Sequence, residues 1–152
     1  MITFFIVIQT ILLLFMLLHD WIDIPPFTDI KALRNHHSVK ELFIGTVINT
    51  VFVGIPFLLT LLYASASFPL WAAITMVCAY ILLTIGTICA WWIPYICGSS
   101  QKHKADFAEY QNTHHFLPAR GDNVIPNTLH VTLHLFVWAS LACAVYILVL
   151  CC

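Results

Sequence analysis

Long apolar runs separated by two polar segments dominate the pattern of this chain. Hydrocarbon about 30 Å thick takes about 20 helical residues to cross, and four of the runs approach or reach that length. We predict membrane-spanning helices over about residues 1–21, 42–63, 69–92 and 129–150. A soluble fold of 152 residues could not bury so much apolar surface. The sequence therefore predicts an all-α integral membrane protein, a four-transmembrane-helix bundle forming a single domain over residues 1–152.

Prolines and aromatic residues mark the expected helix ends. Pro25 and Pro26 should end the first helix and Pro94 the third, because proline cannot continue the backbone hydrogen bonding. Asn127 is a suitable N-cap for the fourth helix. Aromatic belts are expected where helices meet the lipid head groups. Four residues should form the belt on the side of the long loops: Trp21, Trp91, Trp92 and Tyr95.

The charged residues all lie in two long connections, residues 19–41 and 94–128. With an even number of spans, both connections lie on the same side of the bilayer. An excess of Lys and Arg marks the cytoplasmic side. We therefore expect cytoplasmic loops between the first and second and between the third and fourth helices. Both termini and the short turn at 64–68 should then be extracytoplasmic.

The net charge and the first apolar run limit which partners and which location we expect for this protein. The net charge of −1 gives no basic surface for nucleic acid, so no nucleic-acid partner is expected. The lipid bilayer is the expected partner, together with a protein partner or a second copy of the chain. The first run has neither the basic start nor the cleavage site of a signal peptide, so it should be retained. A plasma membrane, such as a bacterial inner membrane, is the expected location.

The longer loop should contain a helix over about residues 100–115. Ser100 can cap its start, and Lys102 and Asp106 have the i,i+4 spacing of a favourable ion pair. Four residues would then share one face: His103, Phe107, Tyr110 and His114. This amphipathic pattern suits a helix that lies on the membrane surface or across the mouth of the bundle, although an ordinary surface helix has the same pattern.

Histidines are the most informative residues in so apolar a chain. All eight lie in the two loops or in the first turns of the fourth helix. His130 and His134 are four residues apart on that helix, so they point the same way, as two ligands of one metal would. An ionisable group at that depth should face the bundle interior and have a partner. A buried histidine bonded to its neighbours, or one that carries protons, would also fit.

Three further residues complete the predicted metal site. The first helix offers His19 and Asp23, four residues apart, and the loop offers His114. Imidazoles with a carboxylate suit a divalent zinc or iron ion. The predicted ligands are thus His130, His134, His114, His19 and Asp23, although Asp23 would also fit a solvated helix end. The six cysteines show no spacing typical of a disulfide framework or a zinc site.

Three functions remain open from the sequence. The first is a metal-dependent site at the cytosolic mouth of the bundle that acts on a lipid or another apolar substrate. The second is a structural or accessory subunit whose loops dock a partner. The third is a small proton-coupled transporter in which the histidines titrate near neutral pH. A transporter should show a continuous polar track from Asn49 towards Gln9.

Overall fold

The computed structural model describes residues 1–151, so Cys152, the last of the six cysteines, lies outside the described residues. Helices and connecting turns make up this part of the chain. The α-helices are α1 (Ile2–Leu18), α2 (Ile30–His36), α3 (Val39–Tyr63), α4 (Leu70–Thr87), α5 (Ile93–Cys97), α6 (Gln101–Asp106) and α7 (Thr128–Leu150). A π-helical segment, Ile88–Trp92, joins α4 to α5 without a break, and a 3₁₀ turn follows α6 at Ala108–Tyr110.

Three helices are long and apolar enough to cross a membrane. They are α3, the continuous rod Leu70–Cys97 and α7. The helix α1 is apolar as well but has 17 residues, which is shorter than the other three. An all-helical membrane bundle is therefore consistent with the fold.

The long helices form a ring in which each one contacts two others. Helix α1 packs against α3 and α7, and α4 packs against the same two helices from the other side. A short turn joins α3 to α4, and we call the end of the bundle near this turn the turn side. The opposite end, where the long connections lie, is the loop side. The turn-side half holds the best-packed core, with Phe5, Leu12, Val53, Met76, Tyr80 and Val137 fully buried.

The rod that follows the α3–α4 turn runs past the proline that should have ended it. We predicted its end at residue 92, before Pro94, but helical backbone continues to Cys97. Pro94 has no N–H to donate to the carbonyl of Ala90, four residues earlier. The Nε2 atom of His103 takes that place and lies 3.0 Å from the Ala90 oxygen. This substitute partner and the change to π-helical pairing explain why the rod does not break.

The predicted loop helix over residues 100–115 is wrong beyond its first turns. Its cap and ion pair are confirmed, because Ser100 accepts from the His103 N–H and Lys102 pairs with Asp106 at 3.4 Å. The helix ends at Asp106, however, and the chain turns back over the bundle. The backbone N–H of His114 donates to the Pro26 carbonyl at 2.8 Å. This long-range bond holds the segment against the first connection, where a continued helix could not reach.

The first connection also differs from the prediction. Helix α1 ends at Leu18 rather than at residue 21, and the short helix α2 was not predicted. Asp29 caps α2 by accepting from the Ala32 N–H at 2.8 Å. Trp21 donates to the hydroxyl of Thr46 on α3 at 3.0 Å. These bonds fold the connection onto the loop-side end of α3.

Candidate functional site

A cavity of about 340 Å³, which we call the cleft, lies in the loop-side half of the bundle. Its lining is mostly apolar, and its polar groups gather at the loop-side end. Five polar residues line it: His19, Asn49, Thr87, His130 and His134. Mostly apolar walls with a few convergent polar groups are typical of small-molecule sites.

The cleft opens sideways, between α3 and α4. Residues on its rim are exposed, Ile48 and Phe52 on α3 and Leu82 on α4. The back wall comes from α1 and α7, where Met16 and Leu133 are buried. Since the exposed rim belongs to helices long and apolar enough to span a membrane, the opening faces the region that lipid chains would occupy.

The π-helical segment positions two tryptophans against α7. Trp91 is buried, and its ring centroid lies 4.3 Å from that of His130. Trp92 donates its indole N–H to Nδ1 of His134 at 3.1 Å. An indole nitrogen only donates, so Nδ1 of His134 must accept, and a neutral His134 carries its proton on Nε2. Single-turn π segments are frequent at functional sites.

His130 is held in the opposite tautomer by Asn127. The side-chain oxygen of Asn127 caps α7 by accepting from the backbone N–H of His130 at 2.9 Å, which confirms the predicted N-cap. The same oxygen lies 2.8 Å from Nδ1 of His130. Because this oxygen accepts, Nδ1 carries the proton, and Nε2 of neutral His130 is an acceptor. Within residues 1–151, neither Nε2 of His130 nor that of His134 has a hydrogen-bond partner.

His19 pairs with a carboxylate at the end of α1. Its Nδ1 donates to the carbonyl of Phe15 at 3.0 Å, and its Nε2 lies 3.1 Å from an oxygen of Asp20. The pair is either an imidazolium beside a carboxylate or an imidazole that accepts from a carboxylic acid. Asp20 lies beyond the last residue of α1, and burial raises the pKa of its carboxyl against the opposing effect of His19.

A second cavity of about 470 Å³, the vestibule, lies next to the cleft on the loop side. The two cavities share His19, Asn49, Trp91 and His130 in their linings, so they meet at the histidines. The vestibule is acidic. Four carboxylate residues line it, Asp20, Glu41, Asp106 and Glu109, and among its described lining residues there is no Lys or Arg.

Glu109 is the most buried of these carboxylates, with its side chain 2% exposed. One of its oxygens lies 3.1 Å from Nε2 of His37. The other oxygen is buried and has no hydrogen-bond partner within the described residues. The neighbouring Tyr110 is partly buried, and this burial together with the charges of Asp20 and Glu109 raises the pKa of its hydroxyl. A buried carboxylate oxygen without a partner is costly, which makes it a candidate contact for a ligand.

The structure brings three of the five predicted metal ligands together. His19, His130 and His134 line the cleft, with ring centroids 6.2 Å apart for the first two and 6.3 Å apart for the last two. Asp23 is exposed and accepts from the Ile30 N–H and the Thr28 hydroxyl, as a solvated helix end would. His114 is exposed and bonds to the Thr128 hydroxyl at 2.7 Å.

These groups do not form a ligand set as they stand, and the bond from Trp92 opposes ligation by His134. In residues 1–151, no group of three or more His, Cys, Asp or Glu side chains is arranged to hold a metal ion. His134 would have to give up its proton or its bond from Trp92 to ligate. The zinc or iron site thus stays a prediction. Elemental analysis of the purified protein beside a His130→Ala/His134→Ala variant tests it.

Sequence reasoning assigned several of these residues to other places. Trp91 and Tyr95 were expected in the interfacial belt, but both are buried, and the Tyr95 hydroxyl donates to the Pro118 carbonyl. The adjacent tryptophans and the following proline were a usable signal, because Pro94 perturbs the helix at the point where both rings turn towards α7. The burial of Glu109 gave no signal in the sequence, since it depends on how the loop folds back.

The chain matches no known protein-family model, no curated protein and no solved structure. Its function therefore has to be argued from the two cavities and the histidines between them.

Proposed function

We propose that this protein binds a lipid or another apolar molecule that enters the cleft sideways from the bilayer. The observation that carries the proposal is the cleft itself, with exposed apolar rims on α3 and α4 and buried imidazoles at its inner end. An apolar chain would lie between the helices, and the polar end of the molecule would reach His130 and His134. In a site of this kind, the apolar chain of the ligand passes from the bilayer into the cleft without crossing water.

The two imidazoles support contact with a group that both donates and accepts. Neutral His130 offers an acceptor at Nε2, and neutral His134 offers a donor at Nε2, as their bonds to Asn127 and Trp92 require. A hydroxyl on the ligand would donate to the first and accept from the second. His130 is then the group suited to take a proton as a general base. We propose this acid–base role for a substrate that carries a hydroxyl at its polar end.

The burial of the two histidines and of the turn-side core favours a ligand-binding site over an accessory or a transport function. An accessory subunit should turn these side chains outward, but His130 and His134 are 7% and 1% exposed. A transporter should have a polar track towards Gln9, but this residue is fully buried and donates to the Tyr80 hydroxyl. The packed turn-side half therefore favours a site entered from one side only.

We further propose that all four apolar helices cross the bilayer, with both long connections on the cytosolic side. The 17 residues of α1 are at the short end of what a span requires. Single cysteines at Ser67 and Ser100, in a variant without the native cysteines, test this with a membrane-impermeant maleimide on intact cells. Labelling should occur at residue 67 alone. Labelling at residue 100 instead would reverse the topology.

Saturable quenching of tryptophan fluorescence tests the cleft. The protein is reconstituted in phosphatidylcholine nanodiscs and titrated with an octadecanol that carries bromine at the middle of its chain. Trp91 lines the cleft, so we expect quenching that saturates at a low mole fraction of probe and is absent from a Trp91→Phe variant. Quenching that rises in proportion to probe, as for any lipid-exposed tryptophan, would overturn the proposal.

Gly86 offers a variant that fills the cleft. It lies in the lining, and a Cβ added there meets nothing within 4 Å, so a side chain can begin there without a clash. Gly86→Phe should weaken the saturable binding at least tenfold, because the ring would occupy the space of the chain. The matched control is Ile85→Phe, which adds bulk to an exposed neighbour outside the lining and should leave binding unchanged.

A further inference from the structure

The carboxylates of the vestibule indicate which kind of head group the bound molecule has. This inference rests on the proposed function, since it concerns the same ligand. The vestibule joins the cleft at His19 and His130, so a head group that passes these residues enters it. The chemistry of its walls therefore selects among head groups.

The walls of the vestibule suit a cation and oppose an anion. The basic side chains of Lys102 and Lys104 are outside its lining and pair with Asp106 and Asp122 respectively. Glu41 is engaged at the start of α3, where it accepts from the N–H and hydroxyl of Ser38. Asp20 and Glu109 each hold an imidazole with one oxygen, that of His19 and that of His37 respectively. The oxygens left to meet a ligand are therefore the second ones of Asp20, Glu109 and Asp106. A phosphate or carboxylate head group would meet repulsion there.

Glu109 lines this cavity with a carboxylate of which one oxygen, although buried, lacks a hydrogen-bond donor within residues 1–151. An ammonium group would supply that donor with a matching charge, which makes the hydrogen bond stronger than a neutral one. The aromatic rings of Trp91, Phe107 and Tyr110 line the same cavity, and aromatic rings also attract cations.

We propose that the ligand is an amphiphile with an ammonium group at its polar end, held by Glu109 and Asp20 in the vestibule while its chain lies in the cleft. The histidines between the two cavities then contact the atoms that join chain and head. Phosphate-headed lipids without an exposed amine, fatty acids and free anions would be excluded by the acidic walls. The cation would come from the head group, because the apolar cleft retains only molecules that carry a chain.

Competition between molecules that differ only in the head group tests the inference. Octadecylamine, octadecanol and octadecanoic acid displace the brominated octadecanol from the reconstituted wild-type protein. We expect the amine to compete at a concentration roughly tenfold lower than the alcohol, and the acid to be weakest. Equal competition by amine and alcohol, or preference for the acid, would overturn the inference and leave the proposed function standing. Failure of the brominated alcohol itself to bind saturably would instead remove the proposed function.

Two variants test whether the vestibule carboxylates cause the preference for the amine over the alcohol. Glu109→Gln removes the charge and keeps an oxygen that can accept from His37, so the preference for the amine over the alcohol should fall towards one. Asp20→Asn provides a second test should the first variant fold poorly. Asp122→Asn is the matched control, because it removes a carboxylate that is 84% exposed and outside the vestibule. An equal loss of preference in Asp122→Asn would show that only overall charge matters and would overturn the assignment.

Discussion

The two halves of the bundle are built in opposite ways. In the turn-side half, side chains from all four long helices meet with no exposure, among them Phe5, Val53, Met76 and Val137. In the loop-side half the same helices leave cavities of about 340 and 470 Å³. The turn side has a cavity of about 460 Å³ only at the tip of the bundle, beside the α3–α4 turn and the last residues of α7, outside this core. Lipid provides no hydrophobic force between helices, so they associate through packing and hydrogen bonds. The turn-side half therefore holds the bundle together, so the loop-side half can keep its cavities.

Adjacent phenylalanines in α1 offer the strongest test of this contrast. Phe5 is fully buried beside Tyr80, and Phe4 is 60% exposed. Phe5→Ala should lower the free energy of unfolding by about 3 kcal/mol or more, because it leaves a cavity. Phe4→Ala should change it little. Chemical denaturation in bicelles measures both, and equal losses would break the contrast between a packed half and an open one.

The next largest effect is expected at Asn127, on the loop side. Asn127→Ala removes the cap of α7 and should cost about 1 to 2 kcal/mol. It also releases Nδ1 of His130, so the tautomer preference visible by nitrogen NMR should be lost. Asn127→Asp keeps the accepting oxygen and should retain both the cap and the tautomer. A variant Asn127→Ala with an unchanged His130 tautomer would contradict the role given to this side chain.

A smaller effect is expected for the polar pair inside the packed half. Tyr80→Phe removes the hydroxyl that accepts from Gln9 at 3.0 Å. Interhelical hydrogen bonds in membranes contribute about 0.6 kcal/mol on average, so the loss of unfolding free energy should be of that size. A loss as large as that of Phe5→Ala would mean that hydrogen bonding, rather than packing, holds the turn-side half.

The smallest effect concerns a surface pair on the loop side. Lys104 bonds to Asp122 and lowers the pKa of its carboxyl below the usual value of an aspartate. The pair therefore stabilises the fold at pH values above the pKa that Asp122 has in the unfolded chain. This stabilisation is lost as the pH falls through the lower pKa of Asp122 in the folded protein. Lys104→Met should return the Asp122 pKa to its ordinary range in a carbon NMR titration. Stability should barely change, since exposed ion pairs contribute little. A detectable loss of stability would contradict this ranking.

The long helices could be predicted from the sequence because they depend on local patterns of apolar and capping residues. Apolar runs located α3, α4 and α7, and local capping rules located the starts of α6 and α7 at Ser100 and Asn127. The number of spans and their orientation follow from charge counting and remain predictions. The end of the third helix was missed, because the carbonyl freed by Pro94 is satisfied by His103, from beyond the helix.

The site was only partly accessible. The i,i+4 spacing placed His130 and His134 on one face, and both do line the cleft. Asp23 was assigned to the same site by its i,i+4 spacing from His19, and His114 by the helix face it was expected to share with Phe107 and Tyr110. Bonds to Ile30 and Thr128 turn these two side chains elsewhere. The vestibule could not be predicted, because the burial of Glu109 depends on the loop folding back through the bond from His114 to Pro26.

Photo-cross-linking shows whether an apolar chain occupies the cleft between α3 and α4. An octadecylamine with a diazirine at the middle of its chain is photolysed at low mole fraction in nanodiscs, and the adducts are mapped by mass spectrometry. We predict adducts concentrated at Ile48, Phe52 and Leu82, and their loss in Gly86→Phe but not in Ile85→Phe. Adducts spread evenly over exposed residues such as Leu62 and Val149, and unchanged in Gly86→Phe, would contradict the account.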